Sequence, residues 1–346
     1  MSKNVAALTH FIHQHFLPIL IAAYILAVFL PGPGLFLRDT KLADLNILGA
    51  TVKVGPSLLM LAFLLFNAGL GIKVSEFKQL CGRPLLTFLG FAANSLVPIL
   101  LILVLRGAMS LWHSQEELQN LLTGLALIVA MPIAGSSTAW SQNANGNLSL
   151  SLGLVLISTL LSPLSTPLVL HFFSWITAGD FSEDLRELAQ QGTNAFMCLT
   201  VVLPSLAGIG LHFLLGEARV EQFKPYLKLA NYACLLLLNY SNAATSLPQA
   251  MLKPDPDFLL LILLATVVLC SVAFGAGLGL AKVLKADKSD TAALMFGLGM
   301  NNNGTGLVLA ASTLCDHPQV LLPMIFYTLA QQVIAALVDR TLFSDA

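Results

Sequence analysis

Charged residues are scarce in this sequence. Asp, Glu, Lys and Arg make up 10% of its 346 residues, whereas 56% are hydrophobic and the mean hydropathy is +0.81. Soluble domains carry about 25% charged residues, so this composition excludes an ordinary soluble protein. The net charge of −1 offers no basic surface to nucleic acid. The sequence predicts neither a nucleic-acid partner nor an obligate protein partner.

Cysteine pairs are missing as well. The five cysteines lie far apart, mostly in apolar runs, at Cys81, Cys198, Cys234, Cys270 and Cys315. This spacing fits neither a disulfide framework nor a zinc site. We interpret these residues as small packing residues and expect no organic cofactor.

Long apolar runs, in contrast, are abundant. A transmembrane helix needs about 20 apolar residues, and ten runs approach that length, at 11–30, 54–72, 84–105, 120–142, 148–175, 194–216, 229–250, 258–281, 291–313 and 318–338. Ten spans place both termini on one side, together with eleven of the 17 Lys and Arg residues. Because basic residues concentrate in cytoplasmic loops, we predict an all-α protein that crosses the lipid bilayer of an inner or plasma membrane, with both termini cytoplasmic.

Two of the predicted spans contain polar interruptions. Span 9 contains "GMNNNGTG" (299–306), and span 4 is interrupted by Pro132, Gly135, Ser136, Ser137 and Thr138. Each is the fourth span of a five-span half, residues 1–176 and 177–346. Since five is odd, the halves have opposite orientations, which predicts an inverted repeat with one broken helix in each half. Secondary transporters are often built in this way, with substrate and ion sites where the breaks meet.

The residue types at the breaks suit ligand binding. A helix broken inside lipid leaves backbone N–H and C=O groups that protein, water or a ligand must satisfy. Ser, Thr and Asn supply polar atoms, and Gly allows the chain to leave helical geometry. The freed helix N-termini favour an anion and the freed C-terminal carbonyls favour a cation. The alternative is that the three Asn residues join helices through hydrogen bonds.

Acidic residues are absent from the predicted spans, since all 18 can be placed outside them. A proton-coupled antiporter needs a titrating carboxylate in the membrane, so the sequence argues against one. His171 and His212 are either coupling groups or, more simply, interfacial residues. An intramembrane protease needs a Ser or Asp catalyst with a placed base. Because "AGSSTAW" (134–140) lacks the Gly-x-Ser-Gly pattern, we predict no enzymatic activity.

Two further segments are polar for membrane spans. "NYSNAATSLP" (239–248) in span 7 either lines a cavity or is the frayed end of the span, and the second interpretation is favoured. "LSPLSTP" (161–167) places two prolines in span 5. We expect Ser162, Ser165 and Thr166 to satisfy the carbonyls that these prolines leave without donors.

At these residues the sequence resembles the bile acid:sodium symporter family. Three segments carry the resemblance: "FNAGLGIKVSEF" (66–77), the ungapped stretch 124–167, and "GLGMNNNGTGLVLA" (297–310). The resemblance implies a core of spans 3–5 and 8–10, in which the broken spans 4 and 9 cross, beside a panel of spans 1, 2, 6 and 7. It also implies sodium-coupled transport of an organic anion by alternating access.

The resemblance further implies particular site residues. The first sodium site would use Ser137, Thr138 and Ser151. The second would use the side chains of Asn94 and Asn301 and the carbonyls of Leu298 and Met300. The substrate would lie near the half-helix ends, at Gly135, Ser136, Asn302 and Asn303.

Two positions depart from the family pattern. The glutamate shared between the family's sodium sites is Gly297 here, and a hydroxyl-bearing position on span 5 is Val155. Neutral oxygens can hold a monovalent cation, but the missing carboxylate removes a Coulomb attraction of about 4 kcal/mol at ~4 Å and an effective dielectric of about 20. The sequence therefore predicts a sodium-coupled carrier of a bile-acid-like anion or small carboxylate. A sodium-independent carrier, a channel or a transport-dead sensor on the same fold remains an alternative.

Overall fold

A computed structural model describes residues 3–47, 50–72, 84–190, 193–314 and 316–343, and these are predominantly helical. In chain order the elements are α1 Lys3–Gln14, α2 Phe16–Phe29, α3 Pro31–Asp39, β1 Ala43–Ile47, β2 Ala50–Val54, α4 Pro56–Leu70, α5 Pro84–Ala108, α6 Gln115–Ala130, α7 Ser136–Asn143, α8 Leu148–Ser174, α9 Asp180–Gln190, α10 Thr193–Met197, α11 Leu203–Leu215, α12 Glu217–Leu252, α13 Pro256–Val283, α14 Lys288–Gly299, α15 Asn303–Thr313 and α16 Leu321–Val338. Wider π-type turns follow α10 and α16, at Cys198–Val202 and Asp339–Phe343, and a 3₁₀ turn, Pro318–Val320, precedes α16.

Several of these helices are long and apolar enough to cross a membrane. Within the described residues there are five, or six if the bent pair α2 and α3 is counted as one span. The five are Pro84–Ala108, Leu148–Ser174, Thr193–Leu215, Pro256–Val283 and Pro318–Phe343. The protein is therefore a multi-pass integral membrane protein. Helix α4 is apolar but has only 15 residues, and predicted spans 4 and 9 are each divided into two shorter helices.

The chain forms two compact units. Unit 1 comprises Met1–Val74, Ala195–Pro254 and Leu307–Leu321, and unit 2 comprises Ser75–Asn194, Asp255–Gly306 and Leu322–Ala346. Each unit takes segments from both halves of the sequence. Helix α15 contributes its first four residues to unit 2 and the remainder to unit 1.

One described element departs from the predicted all-helical fold. Strands β1 and β2 pair antiparallel, with Ala43 opposite Val54 and Ile47 opposite Ala50. An exposed ion pair of Lys41 with Asp44 (2.6 Å) lies beside the hairpin. The segment is too short and too polar for a span, but its alternating apolar residues, several of them β-branched, suit a strand.

Unit 1 contains a sharp bend that the sequence did not predict. Helices α2 and α3 meet at 92°, where Pro31 takes the first position of α3 and has no N–H to donate. Helix α12 packs against both. Its Tyr240 hydroxyl donates to the Leu30 carbonyl at the bend, and its Ser241 hydroxyl donates to the Gly34 carbonyl at 2.8 Å.

These contacts correct the interpretation of residues 239–248. The segment is not a frayed end, because α12 continues to Leu252. Most of its polar side chains are buried, and Tyr240 and Ser241 bond to the bent helices. Part of the segment therefore joins helices by hydrogen bonds, where we expected fraying. In addition, Asn239 accepts from Tyr24 (2.9 Å), and Thr245 accepts from Arg38 (2.7 Å).

Unit 2 is organised around α8, which packs against α5, α6, α7, α9 and α14. The expectation for its Pro-containing segment is partly confirmed. Ser162 donates to the Thr159 carbonyl (2.8 Å), which Pro163 leaves without its helical donor. Thr166 instead donates to Ala130 at the end of α6 (2.8 Å).

Some predictions concern residues outside the described ones, namely Cys81, Cys315 and positions 73–77 of the second-span segment. Cys198, Cys234 and Cys270 carry free thiols.

Candidate functional site

Both polar interruptions coincide with helix breaks in unit 2. Helix α6 ends at Ala130 and α7 begins at Ser136, and α14 ends at Gly299 and α15 begins at Asn303. The extended segments pair antiparallel, with Ile133 opposite Asn301. The Ala134 N–H donates to Met300 (2.9 Å), and the Asn302 N–H donates to the Pro132 carbonyl (2.8 Å). Each break therefore provides hydrogen-bond partners for some backbone groups of the other.

Polar side chains from neighbouring helices satisfy further backbone groups. Ser158 on α8 accepts from the Ile133 N–H (3.1 Å). At the end of α14, the Gly299 carbonyl accepts from the Tyr327 hydroxyl on α16 (3.4 Å) and from the Cys270 thiol on α13 (3.7 Å). Sequence reasoning did not assign these residues to the site. The available signal was a polar group in an otherwise apolar span.

Asn301 joins helices and also has an unbonded oxygen. Its side-chain Nδ2 donates to the Ile128 carbonyl (3.0 Å), and its backbone N–H donates to Gln331 (3.3 Å). These bonds join the two broken helices and α16. Its Oδ1, however, is buried and has no hydrogen-bond partner.

The five candidate side-chain ligands of a cation share one property. Each places a buried side-chain oxygen without a hydrogen-bond partner: Asn94 Oδ1, Ser137 Oγ, Thr138 Oγ1, Ser151 Oγ and Asn301 Oδ1. A buried polar atom without a partner costs about 1–3 kcal/mol, and most such atoms in proteins have one. The elements that carry these atoms are packed together, because α5, α7 and α14 all contact α8. The donor set therefore fits a small ligand that coordinates oxygen.

The two candidate carbonyl ligands lie at the C-terminal end of α14. Met300 already accepts from Ala134, although a carbonyl retains a second lone pair. In a continuous helix the Asn302 N–H would donate to Leu298, but here it donates to Pro132. The C-terminus of a helix carries a partial negative charge, so this end of α14 favours a cation.

The candidate substrate residues lie at the N-terminal ends of α7 and α15. Gly135 and Ser136 are exposed and Asn302 is half-buried. Asn302 Oδ1 also accepts from the Thr305 N–H (3.3 Å), so this side chain caps α15. Asn303 is 2% exposed, and both polar atoms of its amide lack a hydrogen-bond partner.

The surroundings of Gly297 are apolar. A Cβ at this position would lie 2.9 Å from Leu154 Cδ1. Leu154 is fully buried and belongs to an apolar cluster with Leu150, Leu294 and Leu298. A carboxylate at residue 297 would therefore displace Leu154, which occupies the adjoining space.

One buried carboxyl group lies beside a broken span. Asp290, placed one residue outside span 9 from the sequence, belongs to α14 and is 1% exposed. Asn147 donates to its carboxylate (2.7 Å) and also caps the start of α8 by accepting from the Leu150 N–H (3.1 Å). A single polar pair thus joins the N-terminal ends of α8 and α14. Hydropathy missed the burial because Asp290 follows a charged loop.

The remaining titratable candidates have packing roles. In unit 1, His212 Nδ1 lies 2.8 Å from the Leu70 carbonyl and joins α11 to α4. In unit 2, the rings of His171 and Trp175 meet edge to face. Within the described residues, no group of three His, Cys, Asp or Glu side chains could hold a metal ion.

Trp140 follows the first break and lies beside the second. Its ring stacks on that of Phe296 on α14, with 6.0 Å between the centroids and 15° between the planes. Its N–H donates to Gln332 on α16 (3.3 Å). These contacts hold α7 against α14 and α16.

Comparison with known proteins gives the family. The profile of the SBF-like CPA transporter family matches residues 14–342. The uncharacterized protein PA2026 of Pseudomonas aeruginosa is 28% identical over 337 residues, 95% of this chain and 93% of that protein. The protein named "uncharacterized sodium-dependent transporter YocS" of Bacillus subtilis is 25% identical over 261 residues, 73% of each chain. The uncharacterized protein YbaS of the same species is 27% identical over 217 residues, 62% of this chain and 67% of the relative. This chain therefore belongs to the SBF-like CPA transporter family, of bile acid:sodium symporter type, and is a membrane transporter rather than an enzyme.

Proposed function

We propose that this protein is a secondary transporter that moves a bile-acid-like anion or a small carboxylate together with sodium by alternating access. Its ten spans form an inverted five-plus-five repeat, and α6–α7 and α14–α15 are the broken spans 4 and 9. Sodium is held by Ser137, Thr138 and Ser151, and by Asn94, Asn301 and the carbonyls of Leu298 and Met300. The anion is held by Gly135, Ser136, Asn302 and Asn303 at the half-helix N-termini.

The observation that carries the proposal is the set of unpartnered oxygens beside the paired breaks. All five candidate side-chain ligands of sodium have a buried oxygen without a hydrogen-bond partner, although nearby polar groups such as Ser158 and Thr166 are bonded to backbone. Sodium would use those oxygens and offset the cost of burying them. The negative end of α14 adds a favourable interaction without a carboxylate.

The division of the chain supports movement of a core against a panel. Unit 1 contains the helices of predicted spans 1, 2, 6 and 7 together with most of α15. Unit 2 contains those of spans 3, 5, 8 and 10, both breaks, and all candidate ligands. Two separately packed units, with all candidate ligands in one of them, are compatible with rigid-body alternating access.

Transport by reconstituted protein tests the proposal. Liposomes containing the purified protein are given radiolabelled taurocholate or pyruvate with sodium, potassium or choline outside. We expect saturable uptake of one of these anions, accelerated by sodium, and counterflow when unlabelled anion is preloaded. Equal uptake in all three salts would exclude sodium coupling. Binding without counterflow would favour a channel or sensor.

A second test uses the limited space around Gly297. Gly297→Glu alone would force a carboxylate against Leu154, whereas Gly297→Glu with Leu154→Ala provides room for it. We expect the double variant to bind sodium at lower concentration than the wild type, because a carboxylate would then act at the site. The matched control is Leu154→Ala alone. An unchanged sodium requirement in a folded double variant would contradict the placement of sodium near residue 297.

Burial of Asp290 favours a second candidate function, proton-coupled transport on the same fold. The sequence argued against it only because no carboxylate was found within the spans. Uptake driven by an imposed pH gradient in sodium-free buffer would support this candidate, provided that Asp290→Asn abolishes it. Uptake that responds to sodium and not to the pH gradient would exclude it.

A further inference from the structure

Buried hydroxyl groups in the helices of this protein usually donate to a backbone carbonyl three or four residues earlier, as such residues commonly do. Ser158, Ser162 and Ser174 on α8 do so at 2.7 to 2.9 Å. Eight buried Ser and Thr hydroxyls among the described residues have no partner at all. Four of these eight lie between residues 137 and 151, and one of the four, Ser141, belongs to neither candidate ligand set.

Ser141 differs from the bonded serines of α8. It is 0% exposed, and it lies one turn after Ser137 on the same face of α7. A helical serine hydroxyl commonly donates to the carbonyl four residues earlier, which for Ser141 is that of Ser137. Ser141 Oγ nevertheless has no hydrogen-bond partner. Its hydroxyl instead lies 2.4 Å from the position that a Cβ on Gly146 would take. The missing side chain of Gly146 leaves the room that this hydroxyl occupies.

The hairpin of α7 and α8 brings Ser141 level with Ser151. The two helices are in contact and are joined by residues 144–147 only, which is typical of antiparallel neighbours. Ser141 lies two residues before the end of α7, and Ser151 lies three residues after the start of α8. At a rise of about 1.5 Å per residue, both lie at nearly the same distance from the connection. Ser137 lies about one turn further from it.

A buried carboxyl group adjoins the same connection. Asn147, next to Gly146, holds the carboxylate of Asp290 at 2.7 Å. The Cβ of Ala292, two residues after Asp290, lies 3.0 Å from the Cβ position of Gly146. The C-terminal carbonyl groups of α7 contribute negative potential here, and the Asp290 carboxyl group adds further oxygen atoms close by, so a cation is favoured.

We propose that Ser141 is a further ligand of the sodium ion, so that the first cation site is a cage of the Ser137, Thr138, Ser141 and Ser151 hydroxyls, with Gly146 beside the Ser141 hydroxyl. The inference rests on the proposed sodium coupling and extends its ligand set by one residue. It also assigns a role to Gly146, because a side chain there would take the place of the Ser141 hydroxyl.

The experiment uses full-length protein in detergent and needs no substrate. The midpoint of thermal unfolding is measured as sodium chloride replaces choline chloride at constant ionic strength, for the wild type, Ser141→Ala, Ser141→Cys and Ser162→Ala. We expect the half-saturating sodium concentration to rise about tenfold in both Ser141 variants, through loss of one ligand. Ser141→Cys keeps the side-chain volume close to that of serine and provides the measurement if Ser141→Ala does not fold. Ser162→Ala is the matched control, since its hydroxyl is equally buried but bonded to backbone, and we expect it to retain the wild-type concentration.

The outcomes separate this inference from the proposed function. Sodium stabilisation of the wild type that is unchanged in both Ser141 variants would overturn the role of Ser141 and leave sodium coupling intact. If sodium does not stabilise the wild-type protein, the proposed sodium site is wrong, and so is the role of Ser141 in it.

Discussion

At the scale of single residues, the three consecutive amides have three different roles. Asn301 bonds to Ile128 through its Nδ2, Asn302 caps α15 through its Oδ1, and Asn303 makes no side-chain hydrogen bond. Asn301 Nδ2 therefore joins helices, whereas the proposed ligand binding concerns atoms that remain unbonded, Asn301 Oδ1 and the Asn303 amide. This distinction leads to a prediction for each of the outer two residues.

Replacing each of these outer amides by leucine separates stability from transport. Asn303→Leu is close in shape and removes no hydrogen bond, so we expect unchanged or higher thermal stability together with loss of anion uptake. Asn301→Leu leaves the Ile128 carbonyl without its side-chain donor, and we expect a loss of about 1–3 kcal/mol. Thermal unfolding in detergent and uptake in liposomes measure the two effects. Normal uptake by Asn303→Leu would show that this amide does not contact the substrate.

At the scale of elements, helix α12 stabilises a bend in its neighbours. Ser241 and Ser246 are both buried in this helix, but only Ser241 has a partner, the Gly34 carbonyl on α3. Bonds of this kind allow a helix pair to turn through 92° within an apolar unit, because the backbone near the bend gains donors from outside its own helix.

We expect Ser241→Ala to lower the free energy of unfolding by about 1 kcal/mol, through loss of one hydrogen bond. Ser246→Ala, in the same helix and equally buried, should be neutral or slightly stabilising because it removes an unpartnered hydroxyl. Thermal unfolding in detergent compares the two variants. Equal destabilisation would mean that the bond to Gly34 does not support the bend.

A second element-scale feature is the close approach of α4 and α11 in unit 1. A Cβ on Gly208 would lie 2.0 Å from the Phe66 carbonyl oxygen, and a Cβ on Gly69 would lie 2.0 Å from that of Ser205. Small residues at such contacts allow membrane helices to approach through their backbones.

We expect Gly208→Ala to destabilise the protein by about 1–3 kcal/mol, because the new methyl group overlaps backbone that cannot move independently. Gly210→Ala serves as the control, since a Cβ there meets nothing within 4 Å. The control should be unchanged or slightly more stable, because alanine favours helix over glycine. A tolerated Gly208→Ala would show that the two helices can separate without cost.

At the scale of the whole molecule, charge distribution predicts orientation. Alkaline phosphatase, which is active only outside the cytoplasm, is fused after Leu42 or after Lys285. We expect activity from the first fusion and none from the second, because Lys282, Lys285 and Lys288 lie close together in one short connection and such connections stay cytoplasmic. The reverse pattern would contradict the assignment of both termini to the cytoplasm.

The sequence by itself determined that this chain is a multi-pass membrane transporter with two interrupted spans. Apolar run length and clusters of Gly, Pro, Ser and Asn are local properties, and a chain in lipid must satisfy its backbone locally. The positions of both breaks could therefore be predicted from the sequence to within a few residues. The hydrogen bond by which Ser162 satisfies a carbonyl beside Pro163 could also be predicted.

Only the tertiary structure decided which polar groups are already occupied and which remain available. Asn301 meets Ile128 across 173 residues of sequence, and Leu154 reaches Gly297 from another helix. Burial of Asp290 and the unbonded hydroxyl of Ser141 likewise depend on how α7, α8 and α14 pack. The reason is physical: one side chain can either join helices or hold a ligand, and the choice is made by the neighbours that packing brings within hydrogen-bond distance.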